Sequence, residues 1–455
     1  MPVRLIDSLA TTEALAALFS DSSLLQAMLD FEVALARAEV RAGIVPKNAV
    51  TAIATAARSK NFDVATITRE TQRAGTPGIP VAKALTAKVR ATNRDAARYV
   101  HWGATSEDVA DTGLILVLKR AQSIFATDLA RLEKALRRLS EQNADTVMLG
   151  RTLLQPAPPV TFGLEAAGWL AAIRRSRTRL DAAFAEALVF QFGGASGTLA
   201  ALGDKGLDVA RGVARELGLG LPDAPWHANR DRPAALVVAC GVLTGCLGKM
   251  ARDISLLMQG QVAEVFEPGG DGRGGSSTMP QKHNPIASAL TLAAANRVPG
   301  LVAAFLSAMV QEHERAVGGW QSEWATVAEV IQSTGLAIAS MAEAAEGLTV
   351  DKSRMRENIE ATRGSIFAER ASLLLRAKLG RDAADEILKE ALQRSESEKR
   401  ELSQMLAEIP KAVRALGKNT IRDLQNPHEY LGVAEKLRKR FLAGGEKRAT
   451  RKRKG

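Results

Sequence analysis

The feature that most constrains the fold is the spacing of apolar residues between positions 114 and 139. Successive apolar positions are four, three, four, four, three, four and three residues apart, namely Leu114, Leu118, Ala121, Phe125, Leu129, Leu132, Leu136 and Leu139. This near-heptad spacing places apolar side chains on one face of a helix, as in a bundle. A helix over this range spans roughly 39 Å and packs best against long neighbours.

The rest of the chain also favours helices. Apolar residues make up 46% of the sequence but aromatic residues only 4%, so the core is built from Ala, Leu, Val and Ile. Helical patterns occur at 22–42, 161–188, 230–262, 286–312 and 321–346. We predict an all-α fold, an elongated central helical bundle with smaller helical domains on either side. The predicted boundaries are 1–111 (N-terminal domain), 112–350 (central bundle, the tetramerisation region), 351–443 (C-terminal domain) and 444–455 (basic disordered tail).

The net charge of +11 raises the question of nucleic-acid binding. Residues 444–455 hold six cations and one acid, so much of the excess lies in this tail. A terminal basic run without apolar partners is typical of a solvated end. The remaining sequence contains no RNA-binding signature, zinc-finger spacing or basic stretch interleaved with aromatic residues. We therefore expect no nucleic-acid partner.

Cysteine content and hydropathy bear on location. The two cysteines, Cys240 and Cys246, are too few for a disulfide framework and lack a C-x-x-C spacing. The first residues contain no apolar run typical of a signal peptide. The uncharged run 234–248 is shorter than a bilayer-spanning helix and is interpreted as a buried bundle helix. We expect a cytoplasmic protein without a membrane partner.

Three segments carry candidate chemistry, and each also has a purely structural interpretation. HWGATSEDVADTG (101–113) either caps the long helix or offers hydroxyls and free N–H groups to a substrate carboxylate. GRTLLQPAPPVTFG (150–163) by itself indicates a turn. GGDGRGGSSTMPQKHNP (269–285) is either a flexible connector or a mobile loop that delivers serines, Lys282, His283 and Asn284.

Known cofactor patterns do not fit these segments. The P-loop pattern GxxxxGK[ST] is missing, and no predicted strand precedes the glycines of 269–275 or of GGASG (193–197), as a dinucleotide site requires. The five histidines show no helical metal-ligand spacing. The sequence therefore favours an acid–base site that uses neither cofactor nor metal.

The third segment resembles the signature G-S-S-x-M-P-x-K-x-N-P of the fumarase/aspartase superfamily. HWGATSEDVADT and GRTLLQPAPPVT resemble its first and second conserved regions, and RGSIFAER (363–370) resembles its C-terminal segment. The resemblance implies a homotetramer whose long helices form a common bundle, with each active site assembled from three chains.

The resemblance also implies roles for individual residues. Ser276 corresponds to the catalytic base, Lys282 would stabilise an enolate-like intermediate, and Asn284 would position a carboxylate oxygen. The expected substrate-binding residues are His101, Thr105, Ser106, Arg151, Thr152, Gln155, Ser277, Met279, His283, Asn284 and Arg315. The structural alternative for Arg315 is a surface residue among alternating charges on a helix.

Two departures from the superfamily pattern select a branch. Leu153 replaces a histidine and Ala289 replaces a glutamate, and these two residues form an acid–base pair in most lyase members. The run G-R-T-x-L-Q, with P-Q-K-H-N-P and the downstream QEHERAVGGWQSEW (311–324), resembles the 3-carboxy-cis,cis-muconate cycloisomerase family. That family closes a linear tricarboxylate into 4-carboxymuconolactone in protocatechuate catabolism, through the β-ketoadipate pathway.

Two alternatives remain open at this point. One is an adenylosuccinate-type carbon–nitrogen lyase that releases fumarate, against which Leu153 and Ala289 argue. The other is a catalytically silent structural assembly, or one that binds a polyanion through its basic tail. The presence of Ser276, Lys282 and Asn284 together argues against a protein without catalytic activity.

Overall fold

The structure is a computed structural model that describes residues 4–270, 274–275, 279 and 282–444. Within these residues it contains eighteen α-helices and four short strands, so the predicted all-α class is confirmed. The helices are α1 Glu13–Leu18, α2 Asp21–Arg41, α3 Lys47–Ala56, α4 Val64–Ala74, α5 Gly78–Thr92, α6 Ser106–Gln142, α7 Phe162–Ala187, α8 Gly206–Leu217, α9 Asp231–Leu257, α10 Ile286–Ala308, α11 Gly319–Gly347, α12 Lys352–Glu360, α13 Ala368–Leu379, α14 Arg381–Glu398, α15 Leu402–Glu408, α16 Pro410–Leu416, α17 Lys418–Asp423 and α18 Ala434–Ala443.

The strands form two small antiparallel pairs. Strand β1 (Val147–Thr152) pairs with β2 (Gln155–Thr161), and β3 (Val265–Phe266) pairs with β4 (Thr349–Val350). Short 3₁₀ helices complete the described elements, at Leu5–Asp7, Ser59–Asn61, Ala96–Tyr99, Ala200–Lys205, Ser365–Phe367 and Pro427–Tyr430.

The chain divides into two compact units, each built from separated stretches of sequence. The first contains the chain up to Ala130 together with Ser176–Gly248 and Leu290–Ser340. The second contains Arg131–Arg175, Lys249–Ala289 and the chain from Met341 onward. Helices α6, α7, α9, α10 and α11 each contribute residues to both units. The domain boundaries expected near residues 111 and 350 stay predictions.

The predicted apolar seam lies on α6, which starts at Ser106 and runs 37 residues. All eight seam side chains are buried, as the spacing predicts. In the first unit the Phe125 ring meets Phe184 edge to face, with centroids 6.1 Å apart. A Cβ at Gly335 of α11 would lie 2.8 Å from the Phe125 ring, so α11 approaches α6 where it has no side chain.

The other predicted long helices correspond to α2, α7, α9, α10 and α11. Two helices end several residues earlier than predicted: α9 stops at Leu257, five residues before the predicted end, and α10 stops at Ala308, four residues before it. Residues 310–318 form a loop in which His313 and Gly318 have positive φ angles of 47° and 93°. Left-handed backbone cannot continue a right-handed helix, so the sequence QEHERAVGG connects α10 to α11.

A buried ionic network in the first unit joins α6 and α11 to Arg230, the residue that precedes α9. Arg230 Nη1 lies 2.7 Å from Asp111, and Arg230 Nη2 lies 2.8 Å from Glu323. The indole of Trp320 also donates to Asp111, and its ring packs 5.7 Å from that of Trp324. Burial opposes the charge of Arg230, but Asp111 and Glu323 together raise the pKa of this guanidinium above its usual value. The tryptophan pair therefore belongs to the packing between helices.

Three helices are long and apolar enough, by length and composition alone, to cross a membrane, namely α9, α10 and α11. The apolar windows of α9 and α11 are mostly buried inside the structure, which fits the bundle-helix interpretation of 234–248. The window of α10 differs because only 22% of it is buried. Helix α10 thus presents apolar residues that the described part of the chain leaves mostly uncovered.

Candidate active site

The start of α6 in the first unit gathers three predicted site residues. Arg315 donates from Nη1 to the Thr105 hydroxyl at 2.7 Å and from Nη2 to the Ser106 hydroxyl at 3.1 Å. Its Nε donates to Glu107 Oε2 at 2.8 Å. The surface-helix alternative for Arg315 is wrong, because the residue lies in the loop between α10 and α11. Residues 208 to 210 positions apart in sequence therefore form one polar cluster.

Asp108, in the first turn of α6, accepts hydrogen bonds from the backbone N–H groups of three residues. Its Oδ2 accepts from the Thr105 N–H at 3.0 Å, and the Gly194 N–H lies 2.9 Å from the same oxygen. Its Oδ1 accepts from the Gly193 N–H and lies 2.7 Å from His227 Nε2. The hydroxyls of Thr105 and Ser106 instead accept hydrogen bonds from Arg315.

These bonds also explain the glycines of 193–197. Gly194 has a φ of 67°, and a Cβ there would lie 2.9 Å from the Gly103 carbonyl oxygen. Only glycine permits both this backbone and this close approach. The GGASG stretch is therefore a tight structural loop that packs against the segment leading into α6.

His101 lies beside a buried carboxylate that sequence reasoning missed. Its Nδ1 is 2.6 Å from Oε1 of Glu32, which α2 supplies. Burial lowers the pKa of His101, but the charge and hydrogen bond of Glu32, together with Asp108, raise it above its usual value. The sequence contains a signal for Glu32, since it lies four residues after Met28 on the apolar face of α2.

The second unit holds the GRTLLQ segment as the hairpin β1–β2. Arg151 donates through both terminal nitrogens to Glu264, at 3.0 and 2.7 Å. Asn358 donates to the same buried carboxylate at 2.7 Å. Arg151 is half-buried, and a cavity of about 310 Å³ lies beside it and Asn358. The pair holds the hairpin close to its turn, and substrate binding by Arg151 stays a prediction.

The tip of this hairpin consists of two exposed leucines. Thr152 pairs with Gln155, which leaves Leu153 and Leu154 as a two-residue turn with φ angles of 50° and 63°. Their side chains are 97% and 73% exposed. The turn interpretation of this segment is confirmed, and the binding roles of Thr152 and Gln155 stay predictions.

The signature loop lies in the second unit, and the structure describes only part of it. Ser276 and Ser277 lie outside the described residues. Lys282, His283 and Met279 are exposed, while Asn284 is half-buried and donates its backbone N–H to Gly274 O at 2.9 Å.

Glu267, before the loop, accepts from the Ala287 and Ser288 N–H groups and from the Ser288 hydroxyl, at 2.6 to 2.9 Å. A carboxylate at a helix start is favourable, so Glu267 fixes the first turn of α10 beside the residues that precede the loop.

The described site residues supply hydroxyls, amides, carboxylates and cations. Among the described residues, no group of three or more His, Cys, Asp or Glu side chains is placed to hold a metal ion. The larger cavity of the second unit, about 570 Å³, lies in the C-terminal region around Arg376, Asp385 and Lys389, and none of the predicted site residues lines it. Positive groups beside hydroxyls at a helix start are suited to binding carboxylates.

Comparison with known proteins identifies the family. The lyase family model matches residues 9–300. The chain belongs to the fumarase/aspartase superfamily. It is 46% identical to the 3-carboxy-cis,cis-muconate cycloisomerase of Pseudomonas aeruginosa over 97% of this chain and 96% of that protein. It is 39% identical to a nitrosuccinate lyase of Streptomyces davaonensis, over 94% and 92% of the two chains.

The solved structure of the 3-carboxy-cis,cis-muconate lactonizing enzyme of Pseudomonas putida superposes with a TM-score of 0.92. The two chains are 43% identical, and the match covers 97% of this chain and 98% of the other. Membership of this superfamily and its all-α fold are thereby confirmed. The two departures lie in the second unit, Leu153 at the hairpin tip and Ala289 in the first turn of α10, where both side chains are exposed.

Proposed function

We propose that this chain catalyses the cycloisomerisation of 3-carboxy-cis,cis-muconate to 4-carboxymuconolactone, a step of protocatechuate catabolism. The observation that carries the proposal is the identity of 46% with a cycloisomerase over nearly the whole of both chains. The geometry at the start of α6 agrees with it, because Arg315 and two hydroxyls form a receptor for a carboxylate. The enzyme is thus an intramolecular lyase.

The reaction needs no oxidant and no leaving group. One carboxylate oxygen of the substrate forms a bond to a carbon of a carbon–carbon double bond, and the neighbouring carbon receives a proton. Negative charge develops α to another carboxylate during this step. Lys282 stabilises that enolate-like charge and Ser276 transfers the proton, in the roles that the superfamily signature assigns to them.

Three substrate carboxylates require several positive partners, because burying an unpaired charge costs several kcal/mol. Arg315 provides one at the start of α6. His101 is a second, because its raised pKa extends the range of pH over which it stays cationic. Lys282 is a third, and its side chain is exposed.

The enzyme works as a homotetramer with shared active sites in this proposal. Two surfaces support it. The apolar window of α10 is mostly uncovered, and the hairpin tip exposes Leu153 and Leu154. Contiguous exposed apolar surface is typical of protein interfaces. We also place the protein in the cytoplasm, where free thiols such as Cys240 and Cys246 stay reduced.

The decisive experiment mixes the purified protein with 3-carboxy-cis,cis-muconate, without added metal or nucleotide. Loss of the conjugated-diene absorbance, with the lactone identified by NMR, supports the proposal. Adenylosuccinate, argininosuccinate and nitrosuccinate are tested in parallel. Release of fumarate from adenylosuccinate or argininosuccinate, or turnover of nitrosuccinate, with no lactone formed would replace the cycloisomerase with a carbon–nitrogen lyase.

Two variants test the assigned roles. Ser276→Ala is expected to remove most turnover while the unfolding temperature and oligomeric state stay unchanged. Lys282→Met is expected to lower kcat and raise KM, because the lysine contacts both the substrate and the developing charge. Near-normal kinetics in either variant would remove that residue from the catalytic step.

A further inference from the structure

Glu107 is a buried carboxyl for which the proposed reaction has no role. Its side chain is about 4% exposed. Oε2 accepts from Arg315 Nε at 2.8 Å, whereas Oε1 is buried without a hydrogen-bond partner in the described structure. Burial and the neighbouring Asp111 raise the pKa of Glu107, and Arg315 and His227 act against them. Burying a carboxyl that lacks partners costs free energy of folding, and the contact with Arg315 offsets this cost.

Arg315 depends on this contact for its orientation. It lies in the loop 310–318, and about a third of its side chain is exposed. A guanidinium is planar, so a carboxylate held on its Nε edge fixes the direction of its two terminal nitrogens. Those nitrogens donate to Thr105 and Ser106, which are neutral acceptors. A substrate carboxylate accepts more strongly than a hydroxyl, so it can compete for the same N–H groups.

The position of Arg315, Thr105 and Ser106 at the start of α6 also favours a carboxylate ligand. Thr105 and Ser106 begin α6, where backbone N–H groups favour a negative ligand. Glu107 contacts Arg315 from the interior, because the carboxyl is buried while the guanidinium is partly exposed. The pair therefore points Arg315 toward the hydroxyls at the helix start.

We propose that Glu107 is a positioning residue that holds Arg315 by its Nε edge, so that the terminal nitrogens of Arg315 receive one carboxylate of the substrate. This inference rests on the proposed function, since it takes the substrate to be a polycarboxylate. Glu107 itself does not contact the reacting atoms. Its role is to select ligands with a carboxylate at the start of α6.

Glu107→Gln tests the proposal because a positioning role and a purely repulsive carboxylate predict changes of KM in opposite directions. Neutralising a carboxylate beside an anion site removes repulsion, so a Glu107 without a positioning role would give a lower KM. A positioning role predicts the opposite, a KM for 3-carboxy-cis,cis-muconate raised about tenfold, because the neutral amide holds the guanidinium less firmly. The expected change in kcat is smaller than about threefold. An unchanged or lower KM overturns the proposal.

Glu216→Gln is the matched control. Glu216 also accepts from arginines of the first unit, Arg37 and Arg41, but it contacts none of the site residues. Its KM is expected to match that of the wild type. A rise equal to that of Glu107→Gln would mean that any lost arginine contact disturbs the site.

A double variant guards against a purely structural effect. Arg315→Met is expected to raise KM at least as much as Glu107→Gln, and adding Glu107→Gln to it is expected to raise KM no further. Independent, multiplying effects would overturn the proposal. Glu107→Asp keeps the charge but shortens the reach, and serves if the glutamine variant does not fold. Its KM is also expected to rise, and an unchanged KM overturns the proposal.

The two proposals can fail separately. If the wild type does not convert 3-carboxy-cis,cis-muconate, the proposed function fails. Binding of citrate, a tricarboxylate, measured by calorimetry then tests Glu107 without turnover. Weaker citrate binding in Glu107→Gln, with Glu216→Gln unchanged, supports positioning, and equal or tighter binding overturns it.

Discussion

The ring of His101 and the carboxylate of Glu32 lie 2.6 Å apart, although 69 positions separate them in the sequence. His101 has a positive φ of 59°, and Glu32 is nearly fully buried on α2. Left-handed backbone is costly for a residue other than glycine, and such residues are often found at functional sites. The pair therefore orients a site residue and favours its charged form.

Glu32→Gln is expected to lower the pKa of His101 and to alter the pH dependence of stability. The pKa of His101 is raised in the folded protein, so the pair stabilises fully below the unfolded pKa of about 6.5. This contribution is lost as pH rises through the higher folded pKa. Chemical unfolding between pH 6 and 9 is expected to show a steeper decline of stability in the wild type than in the variant, while NMR titration reports His101 directly.

Glu264→Gln is expected to destabilise the protein by roughly 3 kcal/mol, because it leaves the half-buried Arg151 without its bidentate partner. Glu346→Gln is the control. Glu346 forms a comparable pair with Arg131 on an exposed surface, so its loss costs at most about 1 kcal/mol. Urea unfolding of both variants measures the difference, and equal losses would contradict a structural role for the Arg151–Glu264 pair.

Replacing Leu153 and Leu154 with Asn and Gly is expected to separate stability from activity. Both positions have positive φ angles, which Asn-Gly adopts at lower cost, so the free energy of unfolding rises by roughly 1–2 kcal/mol. Activity and tetramer formation fall if the exposed leucines contact another copy of the chain. Thermal unfolding, sedimentation and turnover measure these effects, and a stabilised variant with full activity would show that the leucines have no partner.

Glu39→Met is expected to stabilise the protein. Glu39 is fully buried, neither of its oxygens has a hydrogen-bond partner in the described structure, and burial together with Glu32 raises its pKa to about 9. The folded protein thus holds a proton that the unfolded chain releases, so stability falls as pH rises from about 4.5 to 9. The variant removes this slope and gains on the order of 1–3 kcal/mol near neutral pH. A loss of stability would contradict this account.

Parts of the fold were readable from local pattern. The heptad spacing of 114–139 predicts α6, and the position of Leu153 and Leu154 between β1 and β2 agrees with the turn predicted from GRTLLQ. The end of α10 was predicted four residues too late, because 309–312 carries no glycine or proline to mark the end of a helix. In the loop that follows, His313 has left-handed backbone and Arg315 donates to Glu107, 208 positions away in the sequence.

The candidate site also has features that the sequence predicted and features that it did not. The sequence by itself determined the helical class, from the 3.6-residue period of its apolar residues, and the family, from the residues of the signature loop and its flanking motifs. Only the tertiary structure decided which charges meet. Glu32 and His101, Glu107 and Arg315, and Arg151 and Glu264 are each paired across 69 to 208 residues. Such pairs leave no local period in a single sequence, because a buried charge is stabilised by whichever partner the packing of helices brings to it.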